Sequence, residues 1–324
     1  MRWRAGAPAL HFFVRLRGGR NIRGPPVPRI ALIVNPFASG VDDERLAAVE
    51  RELSSAGDVT TMLTERPLHA TELVEESSGR YDAIVAFSGD GGFNEVLNGA
   101  DGDIPLGFVP GGGTSVLPRA LGLPRDAVDA ARMIAGAVAA GRTRRISLGR
   151  VNGRRFGFGA GIGFDAELVR RVDALGRTSD GRRAGDLKFM LEVVRLIAER
   201  HGRFPPAVEI EGRGRAAFAL VANCDPYTFA AGLPLHIAPQ ARFELGLDLV
   251  APVEVRPETI PRLLRYMVTG KGQDADAEIV YAHDLDRVEV HCDTPMPLQA
   301  DGEDLGDVTE FLCEAERDAV SVLV

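Results

Sequence analysis

The stretch Phe87 to Gly99, FSGDGGFNEVLNG, decides how the rest of the chain is read. It follows YDAIVA, an apolar run with the length and bounds of a buried strand. The residues after it, FNEVLNGA, can start a helix. Between the two sit Gly89, Asp90, Gly91 and Gly92. Glycine lets the backbone turn tightly and come close to a ligand, where a Cβ would obstruct. A turn of this kind aims N–H groups at one point, and that point suits phosphate. A carboxylate inside an anion cradle needs a reason. For Asp90 the reasons are a bridging Mg²⁺ or a proton to abstract. The plain alternative is an ordinary glycine-rich turn with a solvated Asp, since short glycine motifs are weakly specific.

Outward from this turn, strands and helices alternate. RIALIVNP (29–36) is a strand stopped by Pro36, and NPFASG places Asn35, Ser39 and Gly40 in a second small-residue loop. DDERLAAVERELSSAG reads as a helix with Leu46, Val49 and Leu53 on one face. VTTMLT (59–64) is a strand and HATELVEESS a helix. IPLGFVP (104–110) is the next strand and runs into GGGTSVLPRALG; DAVDAARMIAGAVAAG (126–141) closes this half as a helix. The alternation predicts a doubly wound parallel sheet. Ligands of such sheets sit beyond the carboxyl ends of the strands. NPFASG, SGDGG and PGGGTS all fall at those ends, so a phosphate-bearing ligand is expected there.

From about Thr143 the rhythm changes. RRISLGRV, RRFGFGAGIGF, AVEIEG, RAAFALVANC, LGLDLVAPV, EIVYAH and RVEVHC read as short strands bounded by turns, the pattern of an antiparallel sandwich. Helices are expected around 186–201 and 257–270. The expected organisation is a leader (1–28), an α/β domain (29–145), a β-sandwich domain (146–306) and a final segment (307–324).

Composition narrows the class. The chain has 324 residues, 45% hydrophobic and 26% charged, as for a soluble protein with ample core. A net charge of −8 speaks against nucleic acid as a partner. Residues 1–29 hold seven Arg and no acid, leaving 31 basic against 46 acidic residues elsewhere. Arg15 and Arg17 interrupt any apolar signal core, and Gly and Pro break up a helix, so the leader is read as disordered or as an upstream start. Trp3, Phe12 and Phe13 among arginines leave a membrane-surface anchor as the alternative. Cys224, Cys292 and Cys313 are odd in number and far apart, which fits reduced thiols in the cytoplasm.

NPFASG, SGDGGFNEVLNG and VPGGGTSVLPRALGLP, in this order, resemble the diacylglycerol kinase catalytic domain family, which includes bacterial diacylglycerol kinases and sphingosine kinases. GAGIGFDAELV (159–169) and QADGEDLG (299–306) look like two further family elements. The resemblance implies an ATP-binding α/β domain followed by an antiparallel β-sandwich domain, with the active site in the cleft between them. It also implies that 307–324 returns to the first domain. By resemblance, the nucleotide meets Asn35, Pro36, Ser39, Gly40, Thr64, Gly89, Asp90, Gly91, Gly92, Asn94, Glu95, Gly112, Gly113 and Thr114. Asp90, Asp301 and Glu303 are the implied catalytic acids, Asp90 also through Mg²⁺-ATP, and Glu303 matches the proton acceptor of bacterial relatives. The plain reading of Asp301-Gly302 is a hairpin turn. Asp165 sits where sphingosine kinases recognise the polar head of the substrate; its plain reading is a helix N-cap. Arg170, Arg171 and Arg177 are read either as phosphate ligands or as a solvated face.

The pattern breaks in places. Gly92 replaces the family's Thr, and Gly113 and Ser115 replace a Thr and an Asn. Glu244, Leu245 and Gly246 stand where bacterial enzymes build a structural metal site from Asp-Asp-Gly, which puts that site in doubt. The expected function is an ATP- and Mg²⁺-dependent lipid kinase, cytoplasmic, meeting its lipid substrate at the membrane surface, with a homodimer left open. An NAD kinase-type enzyme and a non-catalytic nucleotide or lipid sensor are the alternatives.

Overall fold

The computed structural model describes residues 27–175, 186–230 and 232–324. All but the end of the leader, and Arg177, lie outside the described residues. The first half runs β1 (Arg29–Val34), α1 (Asp43–Ser54), β2 (Asp58–Leu63), α2 (His69–Ser77), β3 (Ala83–Ser88), α3 (Asp90–Gly99), β4 (Leu106–Pro110), α4 (Val116–Ala120) and α5 (Ala127–Ala140). These strands pair in parallel in the order β4-β3-β1-β2. β3 and β4 are buried throughout and β1 after its first residue, as unbroken apolar runs require when helices cover both faces of a sheet. Local chemistry sets the helix ends. Asp42 accepts from Arg45 N at the start of α1, and Asp126 accepts from Val128 N and Asp129 N at the start of α5. Gly141 closes α5 in the left-handed conformation.

The second half runs β5 (Arg144–Val151), β6 (Arg154–Phe156), β7 (Gly159–Ile162), α6 (Phe164–Ala174), α7 (Asp186–Glu199), β8 (Val208–Ile210), β9 (Gly214–Ala216), β10 (Ala219–Ala222), β11 (Thr228–Ala230), β12 (Leu233–Leu235), β13 (Leu247–Pro252), α8 (Ile260–Thr269), β14 (Ile279–Leu285), β15 (Arg287–Ala300) and β16 (Glu303–Val322). Antiparallel pairing gives the order β14-β13-β10-β7-β15-β16. The architecture is the expected one: an α/β unit followed by an antiparallel sandwich, each with its own core cluster.

Two strands depart from the short strands read from the sequence. β15 has 14 residues and β16 has 20. Their pairing shifts register at His291/Met296, Pro297/Gln299 and Glu316/Val320, so they bend past one partner and on to the next. β16 passes residue 306 without a break, and at Val322 it pairs in parallel with Leu106 of β4. Leu323 N donates to Leu106 O at 2.8 Å, and Val320, Val322 and Leu323 are buried in the core of the α/β half.

Candidate active site

Three loops at the carboxyl edge of the parallel sheet are laced together through their backbones. Gly40 N donates to Gly111 O at 2.7 Å, Gly111 N to Ser88 O at 2.7 Å, and Asn35 N to Phe87 O at 3.0 Å. A Cβ on Gly40 would lie 2.9 Å from Gly111 O, and one on Gly112 would lie 2.9 Å from Gly89 Cα. The loops therefore touch main chain to main chain, which no larger residue permits. Asn35 Oδ1 accepts Phe37 N at 3.0 Å, closing the turn at Pro36 and leaving Ser39 exposed on the same loop. Thr64 follows β2 on this edge, with its N–H on Val34 O at 2.8 Å. Gly113 is exposed at the tip of the third loop and Thr114 is half-buried beside it.

The central tetrad is not a free loop. Gly89 is the N-cap of α3, and Asp90, Gly91 and Gly92 form its first turn. The N–H groups of that turn have no partner within the helix, and they carry the positive end of its dipole. Asp90 is half-buried there, and its Oδ1 accepts Leu117 N at 3.4 Å, which joins the starts of α3 and α4.

Asp165, Asp301 and Glu303 gather around one turn on the sandwich side. Asp301 and Gly302 both have positive φ between the paired residues Ala300 and Glu303, so the Asp-Gly hairpin is real. Asp301 is also more than a turn residue. It is 5% exposed and accepts from Gly157 N at 2.6 Å, Phe158 N at 2.9 Å, Gly159 N at 3.2 Å and Asn94 Nδ2 at 2.9 Å. Burial pushes its carboxyl above the ordinary range, against these donors. Every one of these contacts is to the backbone of 157–159 or to Asn94 of α3.

Glu303 is different. Its side chain is 45% exposed and paired with Arg154. The same Arg154 Nη2 donates to Asn94 Oδ1 at 2.9 Å. Asn94 is therefore a bridge from α3 to Asp301, Arg154 and the Arg155 carbonyl. The Glu95 carboxylate accepts Ala70 N at 3.1 Å, capping the start of α2.

Asp165 does not cap α6, whose N-cap is Gly163. Its Oδ2 accepts Tyr227 Oη at 2.8 Å and Gln299 Nε2 at 2.6 Å. Gln299 Oε1 in turn accepts Gly302 N, so Asp165 is tied to the hairpin turn that carries Glu303. Burial pushes the Asp165 carboxyl up, while Tyr227 and Gln299 pull it down. Arg170 is occupied by Asp304 and Asp307, and Arg171 by Glu167 and Glu199. Glu244 is paired with Arg144.

Several of these residues carry no sequence signal of their own. Arg155 donates to Leu97 O and Ala100 O at the end of α3 and pairs with Glu316. Arg119 lies 3.3 Å over the Phe229 ring and donates to Gly232 O, tying α4 to the β11–β12 hairpin. Only a basic residue next to a helix start or strand start hinted at either.

The site fits a triphosphate: glycine backbones in contact, a helix start whose N–H groups have no partner within the helix, and a carboxylate at its rim. Among the described residues no three His, Cys, Asp or Glu side chains converge on a metal position.

Comparison with known proteins agrees with this geometry. The profile described as diacylglycerol kinase catalytic domain matches residues 29–151, and the YegS C-terminal NAD kinase beta sandwich-like domain matches residues 159–324. The diacylglycerol kinase of Bacillus subtilis (strain 168) is 31% identical over 284 residues, which are 85% of this chain and 89% of that one. The chain belongs to the diacylglycerol kinase catalytic domain family. Sphingosine kinase 1 of Homo sapiens is 61% identical over 41 residues, 12% of this chain and 11% of its own. A solved structure titled a putative diacylglycerol kinase from Bacillus anthracis str. Sterne shares the fold, with a TM-score of 0.71 at 20% identity over 93% of this chain and 98% of that one. An NAD kinase from Archaeoglobus fulgidus shares it more distantly, with a TM-score of 0.50 at 13% identity, covering 91% and 93% of the two chains. No helix among the described residues is long and apolar enough to cross a membrane.

Proposed function

We propose that the chain is an ATP-dependent lipid kinase, transferring the γ-phosphoryl group to a hydroxyl of a diacylglycerol-like or sphingoid lipid. One observation carries this reading. Asn94, about 6 Å along α3 from Asp90, binds Asp301 and the Arg154 that holds Glu303. The helix that receives the phosphates and the turn that carries the exposed acid are thereby parts of one assembly.

The backbone N–H groups of the α3 start and of the Gly40 and Gly112 loops hold the phosphates. Phosphoryl transfer needs positioning and charge stabilisation more than covalent help. Mg²⁺, when bound, neutralises the charge that develops on the phosphate oxygens, with Asp90 as its protein ligand. Glu303 takes the proton of the lipid hydroxyl as its oxygen attacks phosphorus and the bond to the ADP oxygen breaks. Asp301 fixes the backbone of 157–159 and the turn itself, so it positions Glu303 without touching substrate. The lipid is met at a membrane surface, on its cytoplasmic side.

The test is a radiolabelled Mg²⁺-ATP assay with dispersed diacylglycerol, a sphingoid base and NAD as separate acceptors. Label in a lipid, and its loss in Asp90→Asn, is the expected result. Label in NAD alone would replace the reading with a soluble small-molecule kinase. An unchanged rate in Asp90→Asn would remove Asp90 from the mechanism.

A further inference from the structure

The carboxylate of Glu303 is held by one side chain. Among the described residues its hydrogen bond and its ion pair are both to Arg154, the first residue of β6. Its neighbours along the turn are engaged elsewhere, Asp301 by the backbone of 157–159 and Asp304 by Arg170. Arg154 is fixed from the other side. Its Nη2 donates to Asn94 Oδ1 at 2.9 Å, and Asn94 is buried. The Asn94 amide nitrogen is committed to Asp301 and the Arg155 carbonyl, so its oxygen has to face Arg154.

A glutamate side chain turns about several bonds, so one at the rim of a hairpin samples many positions. A charge-assisted contact to a planar guanidinium selects among them. The guanidinium gains little for itself in this place. Its Nε is buried without a hydrogen-bond partner, which costs stability. Nor does α3 depend on it, because Asn94 Oδ1 also accepts Asn98 Nδ2 at 3.1 Å. A side chain that the fold can spare, kept at a cost against a half-exposed acid, is placed for that acid. The contact registers Glu303 on α3, the helix that starts at Asp90.

We propose that Arg154 is the positioning residue of Glu303: anchored on Asn94, it holds the carboxylate within reach of the acceptor hydroxyl. It acts through Glu303 and does not touch the nucleotide. General-base catalysis requires hydrogen-bond reach to the proton, and a misplacement of about 1 Å costs about 10²-fold in rate. The proposal rests on the lipid kinase reading given above, with Glu303 as the base.

The test is a double-mutant cycle in the full chain, with Mg²⁺-ATP as donor and dispersed diacylglycerol and a sphingoid base as acceptors. Arg154→Met lowers kcat about 10²-fold. The KM for ATP, the affinity for Mg²⁺-ADP in calorimetry and the urea midpoint all stay near wild type. Arg154→Met combined with Glu303→Gln is no slower than Glu303→Gln alone, because groups that act as a unit are not additive. Arg154→Lys, which keeps the charge, recovers part of the loss. Wild-type kcat in Arg154→Met overturns the proposal, as do losses that multiply in the double variant. Weakened Mg²⁺-ADP binding in Arg154→Met overturns it too, by making Arg154 a nucleotide contact. Wild-type protein that labels neither lipid, or Glu303→Gln at the wild-type rate, defeats the kinase reading itself, which separates that failure from a failure of Arg154.

Discussion

Glu303 and Asp301 are two residues apart in sequence, yet Glu303 is half-buried and Asp301 is buried. Their substitutions should separate accordingly. Glu303→Gln keeps the fold and lowers turnover by about 10²- to 10⁴-fold, the usual worth of a general base, with nucleotide affinity unchanged in calorimetry. Asp301→Asn puts an amide NH₂ against the donors now on one carboxylate oxygen, either Gly157 N and Asn94 Nδ2 or Phe158 N and Gly159 N. It should cost about 2–4 kcal/mol in denaturant unfolding. A stable but inactive Asp301→Asn would return that residue to the chemistry. At this scale the sequence told much about glycines and little about acids. A glycine motif is local, whereas the partner of Asp301 on α3 lies 207 positions away.

Among the elements, α3 is the one fixed from the most directions. Asn94 and Asn98 hold the start of β6, with Asn98 Oδ1 accepting Arg155 N at 3.0 Å. The Arg155 guanidinium sits on the last carbonyls of α3, where a cation opposes the helix dipole. The start of α2 is less well made. Leu68 is its N-cap in the left-handed conformation, φ 64°, with no side-chain bond, and is 55% exposed. Leu68→Gly should stabilise the protein by about 0.5–1 kcal/mol, because only glycine adopts that conformation without strain. Urea midpoints at equal slope check this. The helices and the parallel strands were legible as continuous periodic or apolar runs. β15 and β16 were not, since Pro295, Pro297 and many charged residues interrupt them. Their length comes from changing partners, which no local pattern records.

For the whole molecule, the Arg155–Glu316 pair binds β6 to β16 and holds the guanidinium that reaches back to Leu97 O and Ala100 O of the first half. The Arg155 side chain is 11% exposed, and Glu316 also accepts Arg150. Arg155, beside Glu316, holds its carboxyl below the ordinary value of 4.5. A carboxyl lowered by folding adds stability above its unfolded value, and that stability is lost as pH falls through the folded value. Glu316→Gln should therefore cost on the order of 2 kcal/mol at pH 7, discounted for the pair's partial exposure. The gap to wild type should close in acid, below about 4.5. Equal gaps at neutral and acid pH would show that the pair contributes through shape alone. The joint itself was beyond reading from sequence, because Arg155 meets Glu316 across 161 positions.

The pairing of Val322 with Leu106 has a bearing on biosynthesis. The nucleotide half gains its last strand contact, and buried Val320, Val322 and Leu323, only from residues translated some 200 positions after β4. A nascent chain arrested before Val322 must hold that half open at the edge of β4. Such arrested chains should be cut there by protease and engaged by chaperones, while the released protein resists both.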